Sequence, residues 1–437
     1  GGSVIVNTIG NTIDSHVKGS TVVASAAVTA YALDRSEIDA GSGGIAVGAK
    51  ASVGASFATN NISNTVTAYA QASTITATAG AVDIKADSNA RFIAVSLGGG
   101  VTGGNFALGG SVSLNSITNT TDAHISAASV VTSGGSTRVR ALDQSYLYAG
   151  SGGFAVSSTV AVGAAISKHD LADTVRAYID SSDVTSNAGD VEVLAKGNYE
   201  IISATVAGGA SGTVAVNGSI GIHSAKNSIQ AYVSGSTTDV VANGSVTVQA
   251  RHDLLMGVGV GAIGGAGATA VGLANSTVLT DNTVQAYIGQ GARVTGLGNQ
   301  AAVQVYTGIG SGTTGFRGVA VTATADGYVV TVSVAGSGGG AAGVAGSATV
   351  SLLNETTRAW VGKGAQVNKA AGSASDLQSV SILAANSLRV VEASGGPGGT
   401  LVDHPADGLR IAGVAKPVEH HLGHGRLAGF GLAGGLV

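Results

Sequence analysis

Seven flat side chains return at one place in a recurring phrase. They are His16, Tyr69, His124, Tyr178, Tyr232, Tyr287 and Trp360, in "NTIDSHV", "NTVTAYA", "NTTDAHI", "DTVRAYI", "NSIQAYV", "NTVQAYI" and "ETTRAWV". The residue before each ring is small (Ser15, Ala68, Ala123, Ala177, Ala231, Ala286, Ala359), and the one before that is polar. Alternation in a strand then puts the rings on an outer face, with Val, Ile and Ala turned in. An outward column of rings suits stacking on the sugars of an extended glycan. Tyr69, Tyr178, Tyr232, Tyr287 and Trp360 are the candidate ligand-binding residues. The competing role is structural, each ring lying over a neighbouring Gly or Ala strand and shielding its hydrogen bonds.

Other chemistry finds little support. The carboxylates are scattered, and no two recur at a spacing that pairs them as general acid and base. "GGAGA" (264–268) and "GGASG" (208–212) lack the Asp of calcium-binding nonapeptide repeats. The Gly runs are not followed by a helix carrying Lys-Ser/Thr, which disfavours a phosphate loop. Thr clusters such as "STITATAG" (73–80) do not form the flat Thr-x-Thr face of an ice binder. In "HHLGHG", His420, His421 and His424 lie close in sequence, with Asp403 and His404 upstream, but a Gly-rich tail rarely fixes metal geometry. No catalytic residue, metal or cofactor is expected, and the chain reads as a non-enzyme.

The elements that must position the rings follow from spacing and composition. The anchors recur at intervals of 53, 55, 54, 54, 55 and 73 residues, the last implying an insertion of about 19 residues between 290 and 355. The chain has 437 residues, 70 of them Gly, 3 Pro and no Cys; charged residues are 11% against the usual ~25%. Large side chains cannot build its core, so backbones must approach closely. With net charge −4 and no basic stripe, nucleic acid is not expected as a partner. Lack of cysteine suits an exported protein, and the missing initiator Met and signal segment read as a piece of something longer. The uncharged stretch 254–276 imitates a membrane helix, but seven glycines and its register with other charge-poor segments read as buried strands, not a transmembrane segment.

Within each copy the period is two. After the ring strand a second alternating run begins about 14 residues on (Val82/Ile84/Ala86, Val191/Val193/Ala195, Val246/Val248/Ala250, Val303/Val305), then a third and a fourth around Gly clusters. Four units of roughly 13 residues per copy predict an all-β fold. The favoured form is an elongated β-solenoid of about seven copies of a ~54-residue repeat, each copy making about two coils; the alternative is a stacked antiparallel β-repeat array. Two coils per copy would set the rings about 10 Å apart. Asn11, Asn64, Asn119, Asp173, Asn227, Asn282 and Glu355, four residues before each anchor, read as local turn caps. The array is expected over 1–392, with 393–437 a Gly/Pro/His-containing tail or cap.

The stretches "NTVTAYAQASTITATAGAVDIKAD" (64–87), "DTVRAYIDSSDVTSNAGDVEVLAKG" (173–197) and "NSIQAYVSGSTTDVVANGSVTVQAR" (227–251) resemble repeats of very large exported proteins of Gram-negative bacteria. These are the filamentous-haemagglutinin-like adhesins, including their leukotoxin-like branch. The resemblance covers about residues 1–390 and implies secretion through an outer-membrane partner, a stiff surface rod, and adhesive or toxic activity. It carries over no catalytic residue, and the family's secretion domain is not in this chain. The sequence therefore leads to a secreted or cell-surface stalk segment of an adhesin or extracellular filament. Self-association into fibres and a surface glycan or a host or neighbour-cell receptor are the partners it would have. The alternatives are a glycan-binding module using the ring column and a non-lytic repeat region of a secreted cytotoxin.

Overall fold

The computed structural model describes residues 1–308, 312–369 and 372–396, with short strands at 398–400, 418–421 and 428–430. The fold is all-β, with parallel sheets stacked in long strand order, consistent with a β-solenoid and without a closed barrel. One sheet consists of long strands: Val28–Gly48, Val82–Thr102, Thr137–Ser157, Val191–Ser211, Val246–Ala266, Gly318–Gly339 and Ser379–Gly395. A second holds strands such as Phe106–Ile117 and Thr120–Ser126, which run almost end to end and fuse in Thr269–Ile288. The third is a narrow wall of short strands, among them Thr74–Ala77, Val130–Ser133 and Asp183–Ser186. The expected antiparallel alternative is overturned, because array strands pair in parallel with their counterparts in the next copy.

The register corrects the expected two coils per copy. Ser15 pairs with Ala68, then Ala123, Ala177, Ala231, Ala286 and Ala359 follow, each opposite the next. One copy therefore makes one coil. Its four strands are unequal, of 7, 4, 21 and 12 residues in the copy from Thr65. The second and third alternating runs of the sequence are one continuous strand, since the Gly cluster bends nothing. A 21-residue strand is about 70 Å long, whereas each added coil lifts the stack by only about 4.8 Å. This chain is thus broader across its coils than tall along its axis, contrary to the expected elongation.

Alternating Val, Ile and Ala explain the strands and the core together. Ile84, Ile117, Ile125, Leu147, Ile179 and Ile201 are fully buried between the two broad sheets. Each such side chain contributes about 1.5–3 kcal/mol by leaving water. Towards the turn joining the two broad sheets the core thins until backbones touch. A Cβ built on Gly109 would lie 1.7 Å from the Phe154 carbonyl oxygen, and one on Gly98 1.7 Å from that of Gly110. Glycine clusters sit where no side chain fits between the walls. The corner after the ring strand needs left-handed backbone, supplied by Gly19 and Gly235 and, at the same corner in other coils, by Ala72 (φ 49°) and Ser181 (φ 48°).

The long interval is an insertion at 297–317, carrying the antiparallel hairpin Val303–Tyr306 and Thr313–Phe316. Val303/Val305 therefore do not begin the long strand, as the sequence pattern implied. Val319, Val321 and Ala323 do, opposite Val246, Val248 and Ala250. The hairpin lies on the outside of the long-strand sheet, where Tyr306 N–H donates to Gln249 Oε1 (3.1 Å) and Arg251 covers the Tyr306 ring at 4.4 Å. Residues 254–276 form parts of two strands joined at 267–268, not a helix, and only one side is buried: Ile263 is 65% and Leu273 53% exposed. Among the described residues, no helix is long and apolar enough to cross a membrane.

Candidate functional site

The rings stand on the outer, half-buried side of the ring strands, as alternation requires. They stack face to face along the axis: His16–Tyr69 at 4.8 Å between centroids, Tyr69–His124 at 5.0, His124–Tyr178 at 4.6, Tyr178–Tyr232 at 4.7, Tyr232–Tyr287 at 4.9 and Tyr287–Trp360 at 4.4. Interplanar angles are all 10° or less. The expected spacing of about 10 Å is corrected, again because one copy is one coil. A sugar sandwiched between two rings needs about 3.5–4 Å on each side, so none enters between neighbours. Ring edges and the outer faces of His16 and Trp360 are what the column presents. Beside it, Asp122 binds His124 Nδ1 at 2.5 Å and Arg176 Nε at 3.0 Å. Burial, helped by the Asp122 charge, pushes the Tyr178 phenol up to about 12.

The Asn column is not a set of local caps. Asn11 N–H donates to Asn64 Oδ1 (2.8 Å), Asn64 N–H to Asn119 Oδ1 (3.0 Å), and Asn119 N–H to Asp173 Oδ1 (2.6 Å). The chain continues from Asp173 to Asn227 (3.0 Å) and from Asn227 to Asn282 (2.9 Å). Each side-chain oxygen, amide or Asp173 carboxylate, accepts from the backbone N–H of the previous coil at the kink between the two strands of that sheet. A ladder of this kind exists because the 54-residue coil, and not half of it, is the unit.

Two further interior columns were missed. Asn7 Nδ2 donates to Asn60 Oδ1 (2.8 Å), Asn60 to Asn115 (2.7 Å), and Asn115 meets His169 Nδ1 at 3.1 Å. His223 follows, its ring centroid 5.0 Å from that of His169. Burial holds both imidazoles neutral, pushing His169 well down and His223 down to about 3. The other column brings together two carboxylates that the sequence spacing did not pair. Ser145 Oγ donates to Asp173 Oδ2 (2.7 Å) and lies 3.3 Å from Asp143 Oδ2. Burial raises both acids; Asp143 rises further because the Asp173 charge and hydrogen bond oppose its ionisation. Both are enclosed, so the pair ties two walls together and meets no substrate.

An open pocket of about 250 Å³ lies on the outside of the long-strand sheet, lined by Asn198, Glu200, Asp253, Asp326 and Tyr328 among others. Its Asp253 is held by Arg251 at 2.5 Å. Among the described residues no group of three metal-ligating side chains converges. The tail cluster of His420, His421 and His424, with Asp403 and His404, lies outside the residues whose side chains are described. No family model, characterised protein or solved structure matches the chain.

Proposed function

We propose that the chain is a structural and adhesive stalk segment of a large bacterial surface or extracellular filament protein, of the filamentous-haemagglutinin-like kind. It works by rigid β-stacking of about seven copies of the repeat and by association with itself or a surface. The observation that carries this reading is the set of axial ladders. Backbone pairing, rings and Asn amides all run in register from copy to copy, so bending the stack opens many hydrogen bonds at once. At about 4.8 Å per copy, useful length requires very many copies, which suits the very large proteins whose repeats it resembles. The glycan-binding reading is the weaker one, since stacking seals the ring faces that would hold sugars.

Adhesion is tested with beads coated with the purified chain and washed over bacterial and epithelial cells. The reading predicts retention well above albumin-coated beads. Equal retention on every surface contradicts it.

A further inference from the structure

Charge is unevenly distributed along each coil. On the outside of the long-strand sheet, Arg91, Glu200, Asp253 and Asp326 mark where ionisable side chains stop. Beyond them, stretches 92–115, 146–167, 201–222, 254–280 and 328–353 contain no Asp, Glu, Lys or Arg. These stretches stack on one another and form the thin, Gly-rich half of the fold. Its long-strand face shows Leu97 (47% exposed), Val206 (47%), Ile263 (65%) and Val334 (44%) to solvent, with Phe154 and Val95 among them. Between these knobs lie flat spaces at Gly150, Gly257, Gly259 and Gly261. The reverse face is less uniform, because the Lys168–Asp170 ion pair intrudes on it.

We infer that the charge-free half of the long-strand sheet is an interface that receives the same face of a second copy of this chain. The inference rests on the self-associating reading above and names its surface. About nine residues of strand by five coils give roughly 30 Å by 24 Å, on the order of 700 Å². That is close to what each partner of a stable pair buries, and above the apolar patch a monomer ordinarily exposes. Knobs of one sheet fill the glycine spaces of the other at about 10 Å between sheets. Apposing these halves also brings no like charges together, although each copy carries a net −4. A bilayer fits less well. The turns at the thin edge expose Lys50, Asn105, Ser158 and Thr213, which would enter the hydrocarbon first.

The test is sedimentation of the full chain from about 1 to 100 µM. The wild type should pass from monomer to dimer. Leu97→Glu and Val206→Glu should each weaken dimerisation about 100-fold or more by placing charge in a dry interface. Ile263→Lys should do the same, while Lys196→Glu on the charged half should leave it unchanged. Circular dichroism must match the wild type, which holds because the altered side chains already face water. A wild type that stays monomeric, or glutamate variants that dimerise normally, overturns the proposal. So does a monomeric wild type that floats with phosphatidylcholine vesicles while Val206→Glu does not, which transfers the face to lipid. Monomeric variants that still adhere to cells leave the adhesive reading standing and remove only the need for dimers.

Discussion

Tyr178 and Tyr232 lie face to face, ring centroids 4.7 Å apart and planes 5° from parallel, although 54 residues separate them. Tyr232 makes a second such contact with Tyr287 at 4.9 Å. Each aromatic pair adds about 0.5–1.5 kcal/mol beyond area burial. Tyr232→Ala should therefore lose roughly 1–3 kcal/mol in urea unfolding, and Tyr232→Phe almost nothing. An alanine variant as stable as wild type would mean the column is ornamental to folding.

The Asp143–Asp173 pair sets a pH dependence whose sign is fixed by burial. Both acids have folded-state pKa values raised above the ordinary ~3.9. Their contribution is fully present below about pH 4 and is lost as pH rises through the raised folded values. Asp143→Asn keeps a side-chain oxygen for Thr121 and Ser145 without the ionisation. It should raise the unfolding midpoint at pH 8 and flatten the profile on that side. A midpoint that falls at pH 8 contradicts acids whose ionisation burial opposes.

The His169–His223 pair acts in the opposite direction. Burial lowers both, His223 to about 3, so their contribution is full above about pH 6.5 and is lost as pH falls. His223 occupies the register position that Val278 fills in the next coil. His223→Val should fold and lose part of the acid-side decline, read from melting temperatures between pH 7 and pH 4. An unchanged decline assigns the acid sensitivity to other groups.

Close approach of the two broad sheets makes their glycines unequal. Gly109→Ala forces a Cβ against the Phe154 carbonyl and should cost about 1–3 kcal/mol or more. Gly218→Ala meets nothing within 4 Å and should stay within about 0.5 kcal/mol of wild type. Denaturant midpoints of the two variants give the comparison; equal effects would rule out backbone contact between the walls.

Much of this was legible in the sequence. Alternation at Val175, Ala177 and Ile179 gave strand and inward face, and the polar residues before the anchors put the rings outside. Coil size was not legible, because a period of two says nothing about how far a strand runs before it turns. Val191–Ser211 reads as two runs only because Gly197 and Asn198 interrupt its apolar pattern. The same error hid the Asn ladder and doubled the ring spacing. The Asn7, Asn60, Asn115, His169, His223 column did leave a signal, a polar residue four places before the Asn ladder in each of the first five copies. Asp143 and Asp173 left none, since they meet across the core from different walls.

The claim on which the rest depends is that one copy of the repeat is one coil. It is tested by the distance between two spin labels in the same column. Asp14→Cys and Arg358→Cys are six register steps apart in a chain with no other cysteine. Pulsed electron resonance should find them about 29 Å apart, six steps of about 4.8 Å. A distance near 58 Å would mean two coils per copy and would contradict the account.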